Sequence, residues 1–227
     1  MTKYIWMPLS SPLQSWGGDA TSYASRPTEN IPTLSAVLGI LCSCMGISFR
    51  NDLEADAGLR DSLKVDIYVH RKGSLLRDFQ GAGGGIGKEH SNFYERCLPP
   101  KGGTAGMGRN KIYTKEYLQG ASFDIVLRID NEDLVAKIVE ALKRPAWEPF
   151  LGRRANHLSE LPFGGLYDSK DDLKDVWEKE GRSHSACFIH SDTGVPIKDL
   201  PLCRGDNYNG YRYAQECDLR DKEYECL

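Results

Sequence analysis

Apolar and polar residues alternate along three stretches of the chain. Ile5, Met7 and Leu9 fall on one side of the first. Val65, Ile67 and Val69 do so in the second, against Asp66, Tyr68 and His70. Phe123, Ile125, Leu127 and Ile129 form the third, against Asp124, Val126 and Arg128. This spacing predicts half-buried strands; Ser185 to His190 is a weaker fourth. Two segments follow the helical period instead. Leu34 to Ile47 is apolar almost all round, which predicts a buried helix, with Thr33 as its cap after Pro32. Asn131 to Lys143 carries a stripe of Leu134, Val135, Ile138, Val139 and Leu142; Asp130 or Asn131 can cap it, and Pro145 stops it.

Strand, helix, strand, long insertion, strand, helix and a last strand make an α+β chain. The order is that of a ferredoxin-like (RRM-like) palm, β-α-β-β-α-β. The expected division is a discontinuous palm over 1–70 and 119–190, an insertion over 71–118, and a tail over 191–227. The insertion holds the glycine-rich runs Gly81 to Gly87 and Gly102 to Gly108. So long a stretch without periodicity inside a compact domain is a functional loop or a disordered one.

Charge changes this picture. The 227 residues carry a formal net charge of −3, so bulk charge gives nucleic-acid binding no support. Its distribution is uneven: residues 71–118 hold nine Lys/Arg against four Asp/Glu, whereas 168–227 hold fourteen acids against nine bases. A basic, glycine-rich arm interleaved with Phe79, Phe93, Tyr94 and Tyr113 has what single-stranded RNA contact needs: cations for phosphates, rings for bases, close backbone approach. The same composition also suits a solvated surface loop.

The seven cysteines are irregularly spaced and form no metal-type pair, which favours free thiols in a reducing cytoplasm; no metal and no cofactor are expected. The opening Met1 to Trp6 is too short in apolar residues for a signal peptide, and no apolar run suits a membrane span. Nucleotide motifs fail on inspection. A P-loop ending at Gly87-Lys88 would need glycine where Ala82 stands and a hydroxyl where Glu89 stands; a dinucleotide fingerprint from Gly81 would need glycine at Ile86. None of the five histidines (70, 90, 157, 184, 190) has a spacing that declares a catalytic or metal role. Asp171-Asp172 reads as a solvated helical face, and Trp147 as a packing residue.

Near the start the chain reads Leu9-Ser-Ser-Pro-Leu-Gln14-Ser-Trp16-Gly17, then Ser25-Arg-Pro-Thr28, then Ile31-Pro-Thr33-Leu-Ser35-Ala-Val-Leu-Gly-Ile-Leu41. Leu76 to Phe79, Tyr117 to Phe123 and Pro149 to Arg154 follow in order. Together they resemble the CasD-type subunits of type I-E Cascade complexes, in the RAMP superfamily of CRISPR proteins, over about Tyr4 to Gly165. The resemblance implies a ferredoxin-like palm with an inserted thumb. It implies a non-catalytic protein that holds the 5′ handle of the guide RNA (crRNA), caps the backbone filament and contacts the backbone RAMP subunit and the large subunit. Target DNA would be met only through the complex, in the cytoplasm, with no membrane. A related type I-C branch uses a similar palm as a metal-independent endoribonuclease.

Residue chemistry can be laid beside that role. Gln14 and Ser15 offer hydrogen bonds, and Gly17 close approach. Trp16 suits a stacked base or a buried anchor. Arg26 sits before a proline in an extended segment and can project toward phosphate. Thr33 and Ser35, at a helix start, suit an anion or simple capping. Of Arg153 and Arg154, one is expected to meet RNA or a neighbouring subunit and the other to pair locally. Arg77, Lys88, Arg109 and Lys111 are the preferred phosphate contacts of the insertion. The rival endoribonuclease would draw on His90, Tyr113 and Lys115, whose spacing singles none of them out. A small-molecule enzyme with a glycine-rich lid is the third reading.

Overall fold

A computed structural model describes residues 1–17, 25–48, 59, 62–82, 111–198 and 211–217, with backbone alone for 81–82, 111–112, 190–198 and 211–217. The chain is α+β. β1 (Lys3–Ser10), β6 (Lys64–Arg71) and β9 (Ser122–Ile129) form the centre of a six-stranded sheet. Its order is β10-β1-β9-β6-β11-β12, where β10 is Gly165–Tyr167, β11 Ala186–Lys198 and β12 Tyr211–Cys217. β9 runs antiparallel to both neighbours, with Ile5 opposite Leu127 and Ile67 opposite Ile125. β1 and β6 are therefore parallel, and α1 (Leu34–Met45) makes the crossover that parallel strands require. Thr33 caps α1, its side chain accepting from the Ala36 amide. α2 (Glu132–Lys143) starts at Asn131, whose side chain accepts from Leu134 N, with Glu132 and Asp133 in the first turn favourable to the helix dipole.

Alternation drives one sheet face into the main core. Ile5, Met7, Leu9, Val65, Ile67, Val69, Phe123, Ile125 and Leu127 meet Val37, Leu38 and Leu41 of α1 and Val135, Ile138 and Leu142 of α2, all buried. Cys42 and Cys44 lie buried in this layer, and burial pushes the Cys44 thiol up to about 12.

The opposite face departs from the half-buried expectation. It is covered by α3 (Lys170–Lys179), whose Leu173 and Trp177 pack on Trp6, Tyr68, Val126 and Cys187. Two strand carboxylates are sealed beneath it. Asp124 accepts from Trp6 Nε1 (2.8 Å), Arg182 Nη1 (2.8 Å) and His184 Nε2 (2.7 Å). Asp66 is paired with Arg128 (2.9 Å) and Lys170 (3.2 Å). Asp171 and Asp172 do point to solvent from the first turn of α3.

Strand placement brings a second correction. The weaker fourth strand exists, but it pairs with β6 through Ala186↔Val69, not with β1. The edge beside β1 belongs to β10, through Tyr4↔Tyr167. β11 runs through position 190, where the sequence reading ended the palm.

The insertion is not plain loop at its base. β7 (Ser74–Ala82) and β8 (Lys111–Gln119) form an antiparallel ribbon in register from Ser74↔Gln119 to Ala82↔Lys111. β8 also pairs with β2 (Leu13–Gln14) and, in parallel, with β4 (Ser25–Arg26). The ribbon is thus tied to the N-terminal segment, where β3 (Trp16–Gly17) and β5 (Thr28–Glu29) form a further short pair. Gly73 sits at the ribbon's base with φ +69, and a Cβ there would lie 2.7 Å from the Gln119 carbonyl. Among the described residues no helix is long and apolar enough to cross a membrane.

Candidate nucleic-acid interface

The loop after α2 meets the turn after β1. The Ser15 amide donates to the Leu151 carbonyl (3.1 Å), and Asn156 Nδ2 donates to the same oxygen (3.0 Å). Gly152 makes this contact possible: at φ +83, a Cβ would stand 1.5 Å from the Ser15 carbonyl oxygen. This approach places Arg153 against the ribbon. Its guanidinium lies 4.2 Å over the Tyr117 ring, and Nη2 donates to the Arg26 carbonyl (3.1 Å).

Register then sorts the ribbon into two faces, because residues directly opposite in a sheet share a side. Tyr113, Lys115 and Tyr117 lie on one face with Leu76, Asp78 and Gln80. Arg26 pairs in parallel register with Lys115 and so joins that face, on which Arg153 also packs. Three cations and two tyrosines converge there against one carboxylate, Asp78. Arg77 is on the other face, where its Nε donates to Glu116 Oε1 at 3.0 Å.

Beyond the same loop, Arg154 and the neighbouring aromatics border an open cavity of about 290 Å³. Its walls are Ser43, Trp147, Glu148, Phe150, Arg154 and His157. Trp147 is 50% exposed and Phe150 37%, so Trp147 is no core residue: it is half packed and half open at the surface. His157 Nδ1 lies 2.9 Å from Glu148 Oε1, closing one side. A half-exposed indole beside a second ring and an exposed guanidinium can stack a planar base and hold its phosphate. Sequence reasoning missed this pocket because its parts come from the end of α1 and from five positions spread over 147–157.

The remaining predicted contacts divide sharply. Gln14, Ser15 and Trp16 are buried, at 0%, 5% and 0% exposure, which corrects Gln14 and Ser15 as exposed RNA contacts and gives Trp16 the buried-anchor alternative. Gln14 Nε2 donates to the Ala121 carbonyl (2.8 Å), and Trp16 packs edge-on against Phe123 in the core. Thr33 is buried too, its hydroxyl spent on the Ala36 amide and Ser35 Oγ, so capping is its role; Ser35 is half-buried beside it. Gly17 is exposed and paired with Thr28. Arg26 and Arg154 are exposed and Arg153 is half-buried. Arg77 is exposed but compensated by Glu116. Lys111 is described by backbone only, at the ribbon's far end opposite Ala82. Lys88, Arg109 and His90 lie outside the described residues.

Comparison with known proteins places the chain in a family. The family profile described as CRISPR-associated protein (Cas_Cas5) matches residues 4–212. The chain belongs to the Cas5 family. An Escherichia coli (strain K12) protein named CRISPR system Cascade subunit CasD is 30% identical over 202 residues, 87% of this chain and 86% of that protein. Among solved structures, a chain of a "CRISPR RNA-guided surveillance complex" has a TM-score of 0.62 at 23% identity, covering 95% of this chain and 89% of its own. A "Crystal structure of Cas protein" reaches the same TM-score at 22% identity, covering 95% and 94%. These two establish a common fold. The family extends past the segment on which the sequence resemblance rested, through β11 and into β12.

Proposed function

We propose that this Cas5-family chain is the non-catalytic subunit of a type I-E Cascade-like complex that holds the 5′ handle of the guide RNA. The palm is read as β1-α1-β6-β9-α2-β10, with β10 as the ferredoxin-like fourth strand and the β7–β8 ribbon as the root of a thumb. The observation that carries the function is the convergence of Arg26, Lys115 and Arg153 with Tyr113 and Tyr117 on one ribbon face. Cations interleaved with rings suit a bent single strand, whose phosphates and unstacked bases alternate along its length. The Trp147–Phe150–Arg154 cavity, reached through the same loop, supplies a place for one splayed base. In this reading Gln14, Ser15 and Trp16 act indirectly, by holding the turn that carries Gly152 and Arg153. The chain, in the same reading, also caps the backbone filament and meets the large subunit, and a relative named as a subunit of Cascade supports membership of such an assembly.

The test incubates the purified chain with labelled repeat RNA and with mature guide RNA, in EDTA. The expected result is binding of the mature guide with no cleavage of the repeat. Trp147→Ala is expected to weaken binding by about 1–3 kcal/mol, the usual loss for one stacked base. Metal-independent cleavage at a single position would overturn the non-catalytic reading and direct attention to Tyr113, Lys115 and His90.

A further inference from the structure

The second face of the ribbon has a different character. Leu75, Arg77 and Phe79 share it with Leu118, Glu116 and Thr114. Leu75 is 51% exposed and Phe79 70%, although both belong to a residue class that folding normally buries. Leu75 forms one wall of an open groove of about 630 Å³, floored by Ile31, Val69, Leu118 and Phe188 and rimmed by Glu29 and Lys72. An apolar path thus runs from the ribbon down to the joint between β6 and β11. Among the described strands β7 pairs only with β8, so the ribbon's outer edge is open beside these side chains, an arrangement that invites association unless something covers it.

We propose that this face docks a neighbouring protein subunit, which seats an apolar side chain between Leu75 and Phe188 and covers Phe79. The proposal rests on reading the chain as a member of a larger assembly. Charge decides between a protein and RNA as the occupant. Arg77 is compensated by Glu116 at 3.0 Å, and the groove's lining carries one lysine, Lys72, and one glutamate, Glu29. The face therefore offers a polyanion no net attraction, whereas the opposite face holds three cations against Asp78. The complementary partner is an apolar anchor flanked by one basic residue facing Glu29 and one acidic residue facing Lys72. Such anchors, buried at an interface centre, carry most of the binding energy there. One ribbon would then separate two ligands, with RNA on its tyrosine face and protein on its leucine–phenylalanine face.

The experiment co-expresses the full chain, as wild type, Leu75→Glu or Phe79→Glu, with the guide RNA and the other subunits of its own CRISPR system. Protein and RNA are then quantified after affinity purification through this chain. Each variant is expected to keep wild-type guide RNA while a protein subunit falls by about tenfold or more, as for a charge placed in an interface core. Full protein recovery with both variants would overturn the proposal. So would parallel loss of RNA, which would give the face to RNA, or a lowered melting temperature of the free Phe79→Glu chain, which would mean the chain's own residues cover it. Failure of the wild-type chain to retain guide RNA would instead sink the proposed function.

Discussion

At the scale of single residues, Asp124 shows how the palm tolerates charge inside. Its side chain is fully buried, and burial alone would raise the pKa of its carboxyl. Hydrogen bonds from His184 and Trp6 and the charge of Arg182 outweigh that effect and hold the carboxyl below its usual range. A carboxyl depressed in the folded state stabilises the fold fully above its unfolded pKa, near ~3.9. That contribution is lost as pH falls through the folded value. Asp124→Asn keeps the shape but removes the charge that Arg182 and His184 face, and breaking one partner out of a buried ionic cluster costs about 3–5 kcal/mol. Urea unfolding between pH 3 and 7, taken as a ~4-unit window around the carboxylate range, should show a less stable variant with a shallower acid limb. Equal stability across that window would show that the cluster contributes nothing. Gly152 illustrates the opposite kind of residue, one selected for what it lacks, because the Ser15 carbonyl occupies the place of its Cβ.

At the scale of elements, the β7–β8 ribbon is a unit separable from residues 83–110. Its register closes on Ala82 opposite Lys111, so an Asn-Gly pair can replace 83–110 as a two-residue hairpin turn. The shortened chain is expected to unfold with the wild-type midpoint, since the ribbon's ties to β2 and β4 lie below the cut. It is expected to bind guide RNA more weakly but not to lose it, since Lys88, Arg96, Lys101 and Arg109 are gone while Arg26, Lys115 and Arg153 remain. A collapsed midpoint would make the arm part of the core. The ribbon was hard to read from sequence because its apolar residues, Leu75, Leu76 and Phe79, break alternation and sit among charges. They read as loop because neither the face of Leu75 and Phe79 nor that of Leu76 is buried within this chain. The three central strands and two helices were legible for the converse reason: both of their periodicities report burial in one core. α3 was legible as a helix but not as a cover. Nothing in a solvated charge pattern announces that Leu173 and Trp177 seal Asp66 and Asp124. The fourth strand was found and misplaced, because alternation signals a strand without saying which edge it joins.

At the scale of the whole molecule, a chain of net charge −3 can bind a polyanion only where its cations are concentrated and unopposed. Sequence could count the cations of the insertion, but only the register of β7, β8 and β4 assigns them to faces. Arg26 and Lys115 fall together, while Arg77, equally basic in the sequence, falls opposite and is compensated. Salt dependence separates these cases, since each phosphate neutralised on a single strand contributes about −0.7 to the slope of log K against log salt. Arg26→Ala with Lys115→Ala should therefore flatten the slope for guide RNA by about 1.4, with affinity falling most at low salt. Arg77→Ala should leave the slope close to wild type, because Glu116 already holds that charge. A slope that changes as much for Arg77 as for Arg26 would mean that RNA wraps both faces of the ribbon. The division of the ribbon between RNA and protein would then fail with it.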